Sequence, residues 1–143
     1  MGIATVNPAT GKTLKTFDSH SREEIEEKLS QPDSVFQQYR QTSFEQRSVW
    51  LNNAATILKR DQVSLGKMMT LEMGKPIKSA IAEVQKCAWV CEYYAENAAQ
   101  MLQNVPIATD AEQSFVSYYP LGIILAVMPW NFPLWQVFRF AAP

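Results

Sequence analysis

Residues 121–135 read L-G-I-I-L-A-V-M-P-W-N-F-P-L-W, fifteen positions without a charge and with one carboxamide, Asn131. Ile123 to Met128 is an unbroken apolar run of strand length. A strand with no polar face is buried on both sides, so the run predicts an interior parallel strand and an α/β layer arrangement. Pro129 and Pro133 bracket the loop that follows, and Pro133 suits the first position of a helix. Ligand sites in open α/β sheets gather at such carboxyl ends of strands. Two roles for Asn131 are open from position alone. It can cap the helix by accepting a backbone donor, or it can turn its NH2 group into a cleft and donate to an oxygen that gains negative charge during a reaction.

Upstream, Phe115 to Tyr119 is aromatic and β-branched, and Pro120-Leu121-Gly122 marks a turn before the apolar run. Ile77, Ile81, Val84, Ala88, Cys91, Ala95, Ala98 and Leu102 recur at three- and four-residue intervals, predicting one long helix with a packing seam. Gly74 and Pro76 stop the preceding helix and open this one. That preceding helix is expected to be capped by Asp61 and to bury Leu65, Met68, Met69 and Leu71. Before it, Ser43 and Gln46 have the spacing of a capping box, ahead of an inward stripe of Val49, Leu51, Ala54 and Leu58. Ser21 and Glu24 repeat that spacing for a first helix, in which Pro32 predicts a kink or short break near Ser30. Ile3 to Val6 and Thr13 to Phe17 flank N-P-A-T-G, predicting a hairpin or extended arm.

Composition narrows the function classes. Thirteen basic residues against fourteen acidic ones, without a basic run, argue against nucleic acid. Two cysteines and one histidine cannot furnish an ordinary four-ligand zinc site from nitrogen and sulfur, so no metal is expected. The start MGIATVNPATG has neither a secretory leader nor an acylation pattern, which points to a cytoplasmic, reducing setting. Leu121 to Phe138 is long enough to enter a bilayer, but two prolines, Asn131 and Gln136 make it a poor span, and no membrane partner is expected. The long Ile77–Leu102 seam also leaves room for a non-catalytic helical interaction module.

V-M-P-W-N-F-P-L-W-Q-V-F-R-F-A-A-P (127–143) resembles the P-W-N-F-P segment of the aldehyde dehydrogenase superfamily. V-N-P-A-T-G-K (6–12), T-L-E-M-G-K-P (70–76) and Y-P-L-G-I-I-L-A-V (119–127) resemble further signatures of the same superfamily in the same order. The likeness covers the whole chain, and within the superfamily it points to the bacterial succinate-semialdehyde dehydrogenases. It implies the N-terminal part of the aldehyde dehydrogenase fold: helices packed on a Rossmann-like parallel sheet, with a β-ribbon for oligomerisation. Residues 1–106 would be the helical part of the cofactor-binding domain, 107–122 a segment of the ribbon, and 123–143 the first buried strand with its loop and helix.

The same resemblance implies NADP- or NAD-dependent oxidation of an aldehyde, with succinate semialdehyde first among substrates. A cysteine thiolate attacks the aldehyde, and Asn131 supplies the oxyanion hole. Val127, Met128, Pro129, Trp130 and Asn131 would line the cofactor. Phe132, Trp135, Gln136 and Arg139 would meet the substrate, Arg139 through its distal carboxylate. Without the resemblance, Arg139 reads equally well as a solvated or core-edge charge. A homo-oligomer, dimer or tetramer, is expected. The nucleophilic cysteine, the general-base glutamate and the catalytic domain are expected downstream of an N-terminal portion. Cys87 and Cys91, four apart on a packing seam, read as small buried hydrophobes. Glu72, Lys75 and Pro76 read as a helix end and turn. No G-x-G-x-x-G occurs, so dinucleotide binding rests on the resemblance.

Overall fold

The computed structural model describes residues 2–143. Strands β1 (Ile3–Val6) and β2 (Thr13–Phe17) form an antiparallel hairpin with an irregularity between Thr5 and Val6. Its turn is held by Asn7, whose carbonyl accepts from Gly11 N at 2.8 Å and whose side-chain oxygen accepts from Ala9 N at 2.9 Å. The hairpin expected from N-P-A-T-G is present, with Pro8 seated against the end of the second helix at Gly74.

Helix α1 (Arg22–Tyr39) opens with the expected reciprocal cap: Glu24 N donates to Ser21 Oγ and Ser21 N to the Glu24 carboxylate. Of the kink or break expected near Ser30, the break is absent: α1 continues through Pro32 without interruption. Proline removes one donor from the ladder, but α1 buries no residue, so the carbonyl it leaves unpaired can be hydrated. Helix α2 (Phe44–Met73) carries the second capping box, Ser43 with Gln46, and ends at Gly74 with φ +74°. Here two expected helices are one. Asp61 caps nothing; its carboxylate lies alongside the Arg60 guanidinium, and no glycine or proline interrupts the neighbourhood.

Helix α3 (Ile77–Met101) starts one residue after Pro76, which stands just outside it. Gly66 meets Ile81, Gln62 meets Gln85 and Lys59 meets Glu92, so the numbers fall on one helix as they rise on the other. The pair is therefore an antiparallel hairpin joined by Gly74-Lys75-Pro76. Its seam holds the core: Ala80, Val84, Cys87, Ala88 and Cys91 have no exposed surface, and Ala55, Leu58 and Met69 face them. The small residues let the backbones approach, and a Cβ on Gly66 would stand 2.8 Å from Ile81 Cγ1. The middle of the α3 seam, Val84, Ala88 and Cys91, is thus consumed inside the chain, while Ile77 and Leu102 at its ends stay exposed. One facing helix covers only one stripe of α2, so Val49, Met68 and Leu71, expected inside, are 57%, 65% and 46% exposed.

Beyond α3, two-residue strands β3 (Val105–Pro106) and β4 (Phe115–Val116) pair antiparallel. The interior parallel strand expected over Ile123–Met128 is not formed among the described residues; that segment pairs with no strand, and both sheets are antiparallel and two-stranded. The reason is physical: a strand's hydrogen bonds lie in its neighbours, and no described residue supplies one here. Helix α4 (Pro133–Ala141) follows, with Pro133 at its start as expected, and lays Leu134, Trp135 and Phe138 against the α3 core. Among the described residues no helix is long and apolar enough to cross a membrane.

Candidate active site

Asn131 does not cap α4. The cap position is Phe132, and no side chain of its own segment closes the helix. The cap comes from α3 instead. Glu83 Oε1 accepts from Leu134 N at 3.1 Å and Trp135 N at 2.9 Å. Two amides of the first turn, which have no partner within the helix, are thereby satisfied by a carboxylate at the positive end of the helix dipole. Glu83 is 5% exposed and its other oxygen accepts from the Lys75 ammonium, itself 9% exposed. Buried charges persist only when paired and hydrogen-bonded, and each Glu83 oxygen has its partner. Lys75 also lies 3.7 Å from the centre of the Phe132 ring and 3.5 Å from the Asn131 backbone carbonyl, which accepts from it.

Above this pair opens a cleft of about 570 Å³ between α3 and α4. Four of the residues expected to meet a substrate line it together: Phe132, Trp135, Gln136 and Arg139, with Asn131 at one end. Lys86 reaches over the Trp135 ring from α3, 4.0 Å from its centre. Neither Lys86 nor Arg139 has a carboxylate within ion-pair distance among the described residues. The cleft therefore keeps two uncompensated cations beside an aromatic wall. The Asn131 carboxamide makes no hydrogen bond among the described residues, so its donors are free for a ligand.

Asn131 also borders a second cleft of about 510 Å³, with Pro8, Glu72, Met73, Trp130 and Pro133. Trp130 is 81% exposed there. Val127, Met128 and Pro129 belong to neither cleft; they lie on the segment just before Trp130, which forms no helix or strand, Val127 86% exposed. Of the residues expected along the cofactor, only Trp130 thus shares a cleft with Asn131.

A match to the aldehyde dehydrogenase family model spans residues 1–143. The chain belongs to the aldehyde dehydrogenase family. It is 56% identical over its whole length to a probable NADP(+) succinate-semialdehyde dehydrogenase of Synechocystis sp., covering 32% of that protein. It is 49% identical, again over its whole length and 32% of the relative, to NADP(+) succinate-semialdehyde dehydrogenase 1 of Mycobacterium tuberculosis. Among solved structures, 98% of the chain superposes on 31% of the succinic semialdehyde dehydrogenase of Streptococcus pyogenes, crystallised with NADP+, at 35% identity and a TM-score of 0.92. The chain thus spans about a third of the length of the curated relatives it matches. Its helices and ribbons are those of the N-terminal part of this family's fold.

Neither cysteine fits the family's attacking thiolate. Cys87 and Cys91 are fully buried, and their thiols are pushed up to about 12 and about 11, by loss of water first and then by the carboxylates of Glu83 and Glu92 respectively. A nucleophilic thiol needs the opposite setting, open and electropositive. Sequence reading passes over Glu83 and reads Lys75 only as part of a helix end and turn. The signal was there: Glu83 sits three residues after Ala80 and four before Cys87, an acid on the most apolar face of the helix. Such a residue is almost never fully buried without a partner.

Proposed function

We propose that this chain forms the oxyanion and substrate-recognition wall of an NAD(P)-dependent aldehyde dehydrogenase acting on an aldehyde with a distal carboxylate, succinate semialdehyde foremost. The observation that carries this reading is the convergence of Asn131, Trp135, Gln136 and Arg139 on one cleft with two unpaired cations. The Asn131 carboxamide donates to the aldehyde oxygen as an attacking thiolate converts it to an alkoxide. Trp135 packs on the short carbon chain. Arg139, with Lys86 opposite, receives the far carboxylate, for which a planar guanidinium is suited. In this reading the attacking thiol and the general base come from outside residues 1–143, since the two thiols present are sealed in the α2–α3 seam.

Val127, Met128, Pro129 and Trp130 would hold the dinucleotide on the other side of Asn131. Their fit rests on the exposed ring of Trp130 and on a backbone not taken up in any strand ladder, both of which a planar nucleotide can cover. When bound, NADP or NAD would supply the hydride acceptor that takes the aldehyde to the acid level. NADP is favoured because the relatives above carry NADP(+) in their names. Residues 1–106, 107–122 and 123–143 would then be the helical part, the ribbon segment that joins subunits of a homo-oligomer, and the start of the nucleotide-binding sheet, all in the cytoplasm.

The test is Arg139→Ala in the complete gene product. A charge-assisted hydrogen bond is worth about 1.5–3 kcal/mol, so KM for succinate semialdehyde is expected to rise roughly tenfold to a hundredfold. KM for an uncharged aldehyde of similar length should stay near wild type. Equal losses on both substrates would remove the carboxylate assignment.

A further inference from the structure

The reading of Asn131 as an oxyanion donor leaves open what holds it in place. Its loop is exposed and takes no part in a strand ladder, and Asn131 itself is anchored by no hydrogen bond from its side chain. A donor that wanders by an ångström loses much of its effect, since misplacement of that size lowers turnover by about a hundredfold. Among the described residues, two side chains hold the backbone around Phe132 by hydrogen bonds. Glu83 accepts from Leu134 N and Trp135 N, and Lys75 reaches the Asn131 carbonyl and the Phe132 ring. Both belong to the rigid α2–α3 hairpin: Lys75 sits in its connection, and Glu83 lies between fully buried Ala80 and Val84.

We propose that Glu83, held by Lys75, is the positioning residue for the Asn131 amide: it pins the first turn of α4 to the helical hairpin, and Lys75 pins the preceding peptide. This rests on the reading of Asn131 given above. Both side chains also border the substrate cleft, so the KM readout below separates contact with substrate from positioning. The carboxylate does what a local cap does in most helices, but from a helix fifty residues away in sequence, so the loop between inherits the rigidity of the core. The hydrogen-bond partition is complete. One oxygen takes both amides, the other takes the ammonium, and no buried side-chain nitrogen or oxygen among the described residues lacks a partner.

The test uses the complete gene product in a double-mutant cycle, with kcat expressed per folded molecule. Glu83→Asp keeps the charge and shortens the reach by one methylene; Glu83→Gln keeps the reach and an acceptor oxygen but gives up the charge. For Glu83→Asp, kcat is expected to fall about ten- to a hundredfold with KM for the aldehyde within about threefold. Glu83→Gln should lose at least as much, about ten- to a hundredfold, because its NH2 group replaces one of the two accepting oxygens and leaves the buried Lys75 ammonium without its counter-charge. On an Asn131→Ala background both losses should shrink to less than about twofold, since there is no longer an amide to position. Should Glu83→Asp fail to accumulate folded, the Glu83→Gln cycle decides alone. A role confined to fold stability predicts a lower melting temperature with wild-type kcat per folded molecule, or losses that multiply in full with Asn131→Ala; either overturns the proposal. A wild-type kcat in Asn131→Ala by itself would instead overturn the reading of Asn131, so the two failures are distinguishable.

Discussion

In the α2–α3 hairpin, Val84, Cys87, Ala88 and Cys91 are sealed from solvent, whereas Leu121, Leu125, Val127 and Trp130 are 92%, 89%, 86% and 81% exposed. Both regions are written in apolar residues, but they are satisfied in different places. A helix closes most of its backbone hydrogen bonds within its own segment, so a seven-residue rhythm between stop signals is enough to mark it in the sequence. A strand closes them in its neighbours, so a run such as Ile123–Met128 specifies a demand and leaves the supply elsewhere. Asn131 stands at the junction, with open backbone before it and a pinned helix after it. A site so placed can be reached by ligands from two clefts while its far side stays fixed to the core.

The largest effect expected from breaking this arrangement is at the junction. Asn131→Ala should lower turnover of the complete gene product about 100- to 1,000-fold while leaving its melting temperature in place. Turnover within about threefold of wild type would mean that the carboxamide only fills space. Within the closed region, Gly66→Leu should destabilise by about 1–3 kcal/mol, because even its Cβ would stand 2.8 Å from Ile81 Cγ1 and 3.3 Å from the Ile81 backbone nitrogen. Urea unfolding checks this, and an unshifted midpoint would show that the hairpin is looser than its geometry.

The buried thiols give the comparison a pH dependence. Their folded values, about 12 and about 11, lie above the ordinary 9.0 of an exposed cysteine. Between about pH 9 and 11 the unfolded chain has released protons that the folded chain retains, so stability should fall as pH rises through that window and be flat in this respect below about pH 8. Folded protein at pH 8 should accordingly resist iodoacetamide and react readily in urea; rapid labelling without denaturant would place the thiols outside the seam. A smaller effect is expected at the periphery. Ser21→Ala removes one half of the first capping box and should cost about 1 kcal/mol, seen as faster amide exchange in the first turn of α1 with turnover unchanged. Smallest of all, Leu125→Ser in residues 1–143 alone should shift stability by less than about 0.5 kcal/mol, since that side chain is exposed there.

The sequence disclosed what is local and missed what is relayed across the fold. Both capping boxes, the Gly74 stop, the N-P-A-T-G turn and the start of α4 at Pro133 could be read because each involves residues within a few positions of one another. The division of α2 at Asp61 was misjudged because a capping residue in the right rhythm looks the same whether it ends a helix or pairs sideways with its neighbour Arg60. Helical spacing puts Phe132, Trp135 and Arg139 on one face with Gln136 beside it, as the cleft has them, while their assignment to a substrate rests on the resemblance. The Glu83 cap has no such spacing, since its partners lie more than fifty residues away, and only the oddity of an acid on the buried face marked it.

The open run has a consequence of its own. Residues 121–128 form an uncharged, proline-free, β-branched window with its polar backbone unpaired, which is the composition of segments that zip onto copies of themselves. Any state of the molecule that leaves this ribbon bare is therefore self-adhesive. A flanking strand that takes up its backbone hydrogen bonds removes that tendency.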